Sequence, residues 1–169
     1  MTTANSLTIT DGNSVNNMEE AGLYQSAVTD QGYVGGIHYF EVEVHSGNRF
    51  PCKIGVTLSK DFDMTYSSFS DMPFGYAFFQ KGQLRNNNDS MGKKYGKEVK
   101  GKTTLIGVIV NLSKGCIGFT IDGEYQGVAF EAPALFKGPI YPAIALRGGS
   151  KAILHTGKEL PNEAFFMEV

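Results

Sequence analysis

The sequence has no tryptophan, only two cysteines, three histidines and six prolines, and no apolar run near the roughly 18 residues a membrane span requires. Each shortage excludes something. With no such run, no membrane partner is expected. Cys52 and Cys116 both sit in apolar β-type segments, so they read as reduced core thiols and not as a disulfide framework. His38, His45 and His155 are scattered, without the spacing of a metal site. MTTANSLTIT at the N-terminus is polar, so no cleaved signal peptide is expected and the chain reads as cytoplasmic. A net charge of −2 suits neither general nucleic-acid binding nor attachment to an acidic membrane. With tryptophan missing, twelve Phe and eight Tyr supply the aromatic content, and 21 Gly accompany them. That balance suits many short strands and tight turns.

What is present is a β meander. Residues 105–130 read LIGVIVNLSKGCIGFTIDGEYQGVAF, three apolar runs joined by two Gly-containing turns. Residues 105–112 are nearly continuous Ile, Val and Leu, the pattern of a strand buried on both faces. Ser113-Lys114-Gly115 breaks the run, and in 116–121 Ile117, Phe119 and Ile121 share one face. Asp122-Gly123 predicts a type I′ hairpin, which needs positive φ at both central positions. In the next run Tyr125, Gly127 and Ala129 are expected on one face, with Gln126, Val128 and Phe130 on the other.

Residues 6–10 form a short Thr/Ile strand, followed by a polar loop from 11 to about 22. In 37–44, Phe40, Val42 and Val44 face one way and Tyr39, Glu41 and Glu43 the other, a strand with one buried and one wet face. Ile54, Val56 and Leu58 repeat the pattern over 53–58. A polar and aromatic loop at 59–73 precedes a strand at 74–79, and 80–102 reads mostly as loop. The last strands are 140–146 and 152–154. About ten strands punctuated by turn signals predict an all-β fold, a two-sheet antiparallel β-sandwich. The 169 residues form a single domain without linker or repeat, long enough to bury roughly 70% of the unfolded surface.

Gly96-Lys97-Glu98-Val99-Lys100-Gly101-Lys102-Thr103 satisfies G-x-x-x-x-G-K-T, the phosphate-binding loop pattern. That loop works between a buried strand and a helix whose N-terminus meets the phosphates. Met91-Gly92-Lys93-Lys94-Tyr95 is no buried strand, and 105–110 is β-branched, so no nucleotide is expected there. The five Lys from Lys93 to Lys102 read as a solvated loop, not a nucleic-acid patch. Asp61-Phe62-Asp63-Met64-Thr65 opens like a calcium loop, but position six would be Tyr66 and position twelve Met72. Only a looser calcium site would fit. No G-x-S-x-G elbow exists, and neither Cys lies in a protease signature. Neither an enzyme nor a cofactor is expected.

Function is then sought in loops, which on a rigid sandwich commonly carry binding residues. These are rich in Tyr, Phe, Arg and Asn: Tyr24, Ser26 and Tyr33; Arg49 and Phe50; Tyr66 and Phe69; Arg85 to Asn88; and Arg147, Gly148 and Gly149. Aromatic and Arg side chains dominate interface energies. Arg147 is the first choice for a partner contact, and Tyr66 the second.

Taken in order, these segments resemble a SPRY domain. Gly35-Gly36-Ile37-His38-Tyr39-Phe40-Glu41-Val42-Glu43-Val44 is similar to the family's G-x-x-Y-[WF]-E-V-E strand, and Lys53-Ile54-Gly55-Val56-Thr57 to its [KR]-[IV]-G-[VW]-[AT] strand. Phe74-Gly75-Tyr76, Tyr95-Gly96, Gly118-Phe119-Thr120-Ile121-Asp122-Gly123, Gly127-Val128-Ala129-Phe130 and Tyr141-Pro142-Ala143 continue the match, which covers about 7–154 and leaves a short tail at 155–169. Tyr39-Phe40 stands where many members carry Trp, and Lys102 follows Gly101 where the family often has Asp. Little room for a PRY extension implies a SPRY-only protein, nearer the Ran-binding-protein and ryanodine-receptor type than the tripartite-motif type. The resemblance implies a bent, concanavalin-like jelly roll without catalysis that presents loops to a protein or peptide partner, alone or as a small subunit of an assembly. In members that act as ubiquitin-ligase adaptors, the peptide-binding loops correspond by position to 24–33, the vicinity of Tyr66, and 147–149. The Trp those proteins use near the last loop is replaced by Arg147-Gly148-Gly149, so location carries over but peptide preference does not. A lectin-like carbohydrate binder is the alternative, because similar sandwiches serve both roles.

Overall fold

The computed structural model describes residues 1–3, 7–10, 13–17, 22–45, 51–89, 92–99 and 103–161. Among them run β1 (Thr2–Thr3), β2 (Leu7–Thr10), β3 (Ser14–Asn17), β4 (Gln25–Val28), β5 (Ile37–His45), β6 (Lys53–Thr57) and β7 (Gly75–Phe79). They continue as β8 (Gln83–Arg85), β9 (Lys93–Lys94), β10 (Thr103–Asn111), β11 (Cys116–Ile121), β12 (Glu124–Glu131), β13 (Tyr141–Leu146) and β14 (Lys151–His155). The helical segments among the described residues are two short 3-10 turns, Phe69–Asp71 and Pro133–Lys137. The strands make two antiparallel seven-stranded sheets, ordered β1-β4-β13-β6-β7-β8-β9 and β12-β11-β10-β5-β14-β3-β2. This is the β-sandwich that the alternating runs predict.

The second sheet is built on the meander. β10 pairs with β11 on one side and with all nine residues of β5 on the other. The period of two sends Phe40, Val42 and Val44, then Ile106, Val108 and Val110, then Ile117, Phe119 and Ile121 to the inner face. Ile54, Phe78, Ile144 and Leu146 meet them from the first sheet. The outer face of β10 is also covered. Ile109 packs with Cys116, Ile37, Tyr39 and Tyr125, which accounts for an apolar run with no polar alternation. Asp122 and Gly123 have φ of 49° and 84°, the two positive values that a type I′ turn requires.

Three local expectations are corrected. Residues 11–22 include β3, and 80–102 include β8 and β9, all too short and polar to stand out in the sequence. The strict alternation expected in β12 fails, because the β11–β12 register shifts twice around Gly118 and Gly127 takes a φ of 99°. A bulge adds an unpaired residue, so consecutive Ala129 and Phe130 both pack against the core.

Phe119 is fully buried, with its ring 5.8 Å from that of Phe78 and 6.0 Å from that of Tyr95. Phe119→Ala should cost about 3–5 kcal/mol in chemical denaturation, a large share of a domain's margin. A loss under about 1 kcal/mol would show that this ring does not anchor the two sheets.

Candidate functional site

Directly opposed residues of an antiparallel sheet share a face. Pairing therefore sets Ser26, Ala145, Lys53 and Phe79 in one row across β4, β13, β6 and β7. Val28, Ala143, Gly55, Ala77 and Arg85 form the next row on the same outer face. The same period carries Tyr24 and Arg147, just past the ends of β4 and β13, to this face one row further out.

Most of the second row is small, and residues 58–74 lie across it. Ser26 fastens that segment: its amide donates to the Met64 carbonyl, its Oγ donates to the Ser67 carbonyl, and Oγ also accepts from the Phe69 amide, each at 2.9 Å. The Phe69–Asp71 turn carries its own capping box, with Ser68 Oγ accepting from the Ser70 amide and Asp71 Oδ2 accepting from the Ser68 amide. A Cβ on Gly75 would run into the Phe69 carbonyl, so glycine is needed where the turn sits on the sheet. Ser26 and Phe69, expected to meet a partner, are fully buried. They hold the loop down and cannot be touched from outside.

At the uncovered end of this face lies a cluster of cations and rings. Lys53 Nζ sits 4.2 Å from the centroid of the Tyr24 ring and 5.6 Å from that of Phe79. The Arg147 guanidinium stands 5.8 Å over Tyr24 and that of Arg85 5.7 Å over Phe79. Tyr24 and Phe79 meet edge to face, and the Tyr24 hydroxyl donates to the Pro51 carbonyl at 2.6 Å. Lys53 is only 5% exposed. Burial drives its pKa down to about 8, Asp71 opposes the fall, and Arg85 and Arg147 add to it. Burial also raises the Tyr24 hydroxyl well above its ordinary range. The neighbouring Cys52 thiol is pushed up to about 12 by burial, which leaves it no thiolate at neutral pH for nucleophilic chemistry.

The other expected residues divide. Tyr66 is 67% exposed, and the loop carrying it is fastened on both sides to Ser26, two residues from Tyr24. Gly148 and Gly149, at φ 56° and 78°, turn the chain from Arg147 into β14, and Ser150 Oγ donates back to the Arg147 carbonyl at 2.8 Å. Tyr33 does not join them. Its backbone bridges to Ile140 and its ring stacks 4.4 Å from His38, at the far end of β13, roughly 20 Å away at about 3.3 Å per residue. Arg49 and Phe50 lie outside the described residues. Lys53 and Phe79 escaped the loop-based reading because both sit in strands, and Arg85 lies in β8 instead of a loop. A signal existed for Lys53: it is out of phase with Ile54 and Val56, so it faces away from the core.

The remaining motifs are accounted for differently. Residues 100–102 of the phosphate-loop match lie outside the described residues, but Thr103 opens β10, so a strand occupies the place where that motif needs a helix. Asp63 Oδ1 accepts from the Thr65 amide at 2.9 Å, a local turn. Among the described residues no three His, Cys, Asp or Glu side chains are placed to hold a metal, and no helix is long and apolar enough to cross a membrane.

The position of Lys53 has a pH signature. Its folded-state pKa, about 8, lies below its ordinary 10.5, so between those values the unfolded chain binds more protons and stability rises with pH. The charged groups around it are Asp71, Arg85 and Arg147, with Tyr24 and Cys52 beside them. Lys53→Met should be neutral to about 2 kcal/mol stabilising at about pH 7, since an apolar side chain relieves a buried charge. That advantage should shrink by about 1–2 kcal/mol by about pH 9.5, before unfolded tyrosines ionise. Parallel stability–pH curves for the two proteins would contradict the burial of a charged Lys53.

The SPRY-domain family model matches residues 37–159, well over half of the chain. Solved structures agree on the fold. The SPRY domain of human HERC1 shares 16% identity, with 91% of this chain and 94% of that one aligned at a TM-score of 0.70. Another human SPRY domain shares 20%, with 92% and 98% aligned at 0.75. The stonustoxin structure shares 18% over 90% of this chain but 26% of its own, at 0.66. With the sandwich and the strand motifs in place, the chain belongs to the SPRY-domain family, whose members are in general protein–protein interaction modules.

Proposed function

We propose that this protein is a non-enzymatic binding module whose contact face is the rim formed by Tyr24, Tyr66, Arg85 and Arg147, with Lys53 and Phe79 beneath. The observation that carries the reading is the stack of cations on aromatic rings at the open end of a loop-covered sheet. Arg and Tyr are the side chains most enriched in interface hot spots. Here they stand on strand ends and on a loop fixed by Ser26, so little conformational entropy remains to be lost on binding. Tyr66, the most exposed of these rings, offers a wall for an apolar partner residue, and Arg147 a donor fork for a carboxylate or for carbonyl groups. The partner is a protein or peptide.

The test compares partner capture by wild type, by Arg147→Ala with Tyr66→Ala, and by Lys93→Ala with Lys94→Ala, a pair of exposed residues on β9. The rim pair should weaken binding by about 2 kcal/mol or more with little change in melting temperature. If the β9 pair loses the partner and the rim pair keeps it, the contact face is wrongly placed.

A further inference from the structure

β12 ends the second sheet, so it has a strand partner on one edge only. The first half of its other edge is covered. The Tyr95 hydroxyl donates to the Gly127 carbonyl at 2.6 Å, Lys97 pairs with Glu124 at 2.8 Å, and Gly96 lies against the Gln126 side chain. The second half is open. The Ala132 amide donates to the Gly115 carbonyl at 2.9 Å and Phe130 pairs with Ile117, so Phe130 turns its amide and carbonyl towards β11. A trans peptide points its C=O and N–H in opposite directions, and the 129–132 peptides are trans. The Ala129 carbonyl and both main-chain groups of Glu131 therefore point outward, with no hydrogen-bond partner among the described residues.

An apolar groove flanks this stretch on each side. The inner one is lined by Leu84, Ala129 and Phe130, all packed on the core, with Asp89 and Lys93 of opposite charge at its border. On the outer side Glu131 directly opposes Cys116 and shares its face. There Cys116, Ala132 and the Phe136 ring, 57% exposed, line the second groove. Among the described residues no cation forms an ion pair with the exposed Glu131 carboxylate. Lys114 borders the same groove, but Cys116 feels it less: burial and then Glu131 raise the thiol pKa more than Lys114 lowers it.

We infer that the 128–131 edge receives an extended segment of a protein partner as an added antiparallel strand, with Lys or Arg opposite Glu131 and apolar residues on either side of that cation in sequence. The outward main-chain groups select an extended backbone, and the grooves select its side chains. The period of two sends the cation's neighbours into the inner groove, while its aliphatic stem covers the outer groove beside Phe136. A second copy of this chain fits worse. The register that bonds Glu131 to Glu131 would set two carboxylates directly opposite each other, where like charges repel. This edge is separate from the rim, since none of Tyr24, Lys53, Tyr66, Phe79, Arg85 or Arg147 lines either groove.

The experiment depletes displayed random peptides on the Glu131→Pro protein and then selects the remainder on wild type. Proline is tolerated at an edge whose N–H faces outward, so this variant should fold while losing the donor and the carboxylate. It keeps the rim, so depletion removes rim ligands. Enriched peptides should carry Lys or Arg between apolar residues. Methylating the main-chain nitrogen of that cation, or of the residue two positions later, should weaken binding about tenfold, and methylating the nitrogen between them less than about twofold. This alternation needs no protein variant and decides the matter even if Glu131→Pro misfolds. Glu131→Lys should cost about tenfold, recovered by peptides with Glu in place of the cation, the coupling expected of a direct charge contact. No enriched peptide, or N-methylation without alternation, would overturn the added strand. Peptides lost to Arg147→Ala with Tyr66→Ala but indifferent to Glu131→Lys would overturn it too, and leave the rim standing. A wild-type dimer in sedimentation that Glu131→Pro dissolves would assign the edge to a second copy and overturn the proposed partner.

Discussion

Ser26 makes three hydrogen bonds to the segment that crosses its own sheet, and that contact fixes what the outer face can present. The crossing is possible because Ala143, Gly55 and Ala77 leave the sheet surface low, and because Gly75 lets the Phe69 turn approach closely. With Phe69 buried in the shared core, residues 58–74 behave as a third layer over part of the first sheet. Tyr66 is held out from that layer, and the capping box fixes Asp71, whose charge acts on Lys53. The same polar contacts that satisfy a buried backbone therefore also shape the rim.

The rim itself stores unfavourable electrostatics. A lysine nine-tenths buried beside two guanidinium groups costs stability unless something offsets it. The Tyr24 and Phe79 rings supply part of that offset through their negative faces, and the Tyr24 hydroxyl is tied to the Pro51 carbonyl, which fixes the ring under Arg147.

Legibility in the sequence followed the physics of each segment. β5, β10 and β11 could be read because one or both faces are buried and the apolar period shows it. β3, β8 and β9 could not, because their pairing depends on neighbours far away in the chain and their side chains carry no pattern. β12 misled because a bulge breaks the period that the alternation assumes. In the candidate site, Tyr66 and Arg147 were legible as aromatic and cationic loop residues. Phe69 has the same aromatic signal, yet it is buried, and Ser26 lies on the outer sheet face beneath the crossing loop; composition does not report burial. Lys53 and Phe79 were missed for the converse reason, since they belong to strands and meet Tyr24 only through the β4-β13-β6-β7 pairing.

The central claim is that the contact face is preformed by a loop locked onto the sheet. Native-state amide hydrogen exchange tests it most directly, at the Ser26 and Phe69 amides, which donate to the Met64 carbonyl and to Ser26 Oγ. The account predicts that both exchange only through openings nearly as costly as global unfolding, alongside core amides of β10. Exchange at the rate of an exposed loop, with β10 still protected, would contradict it.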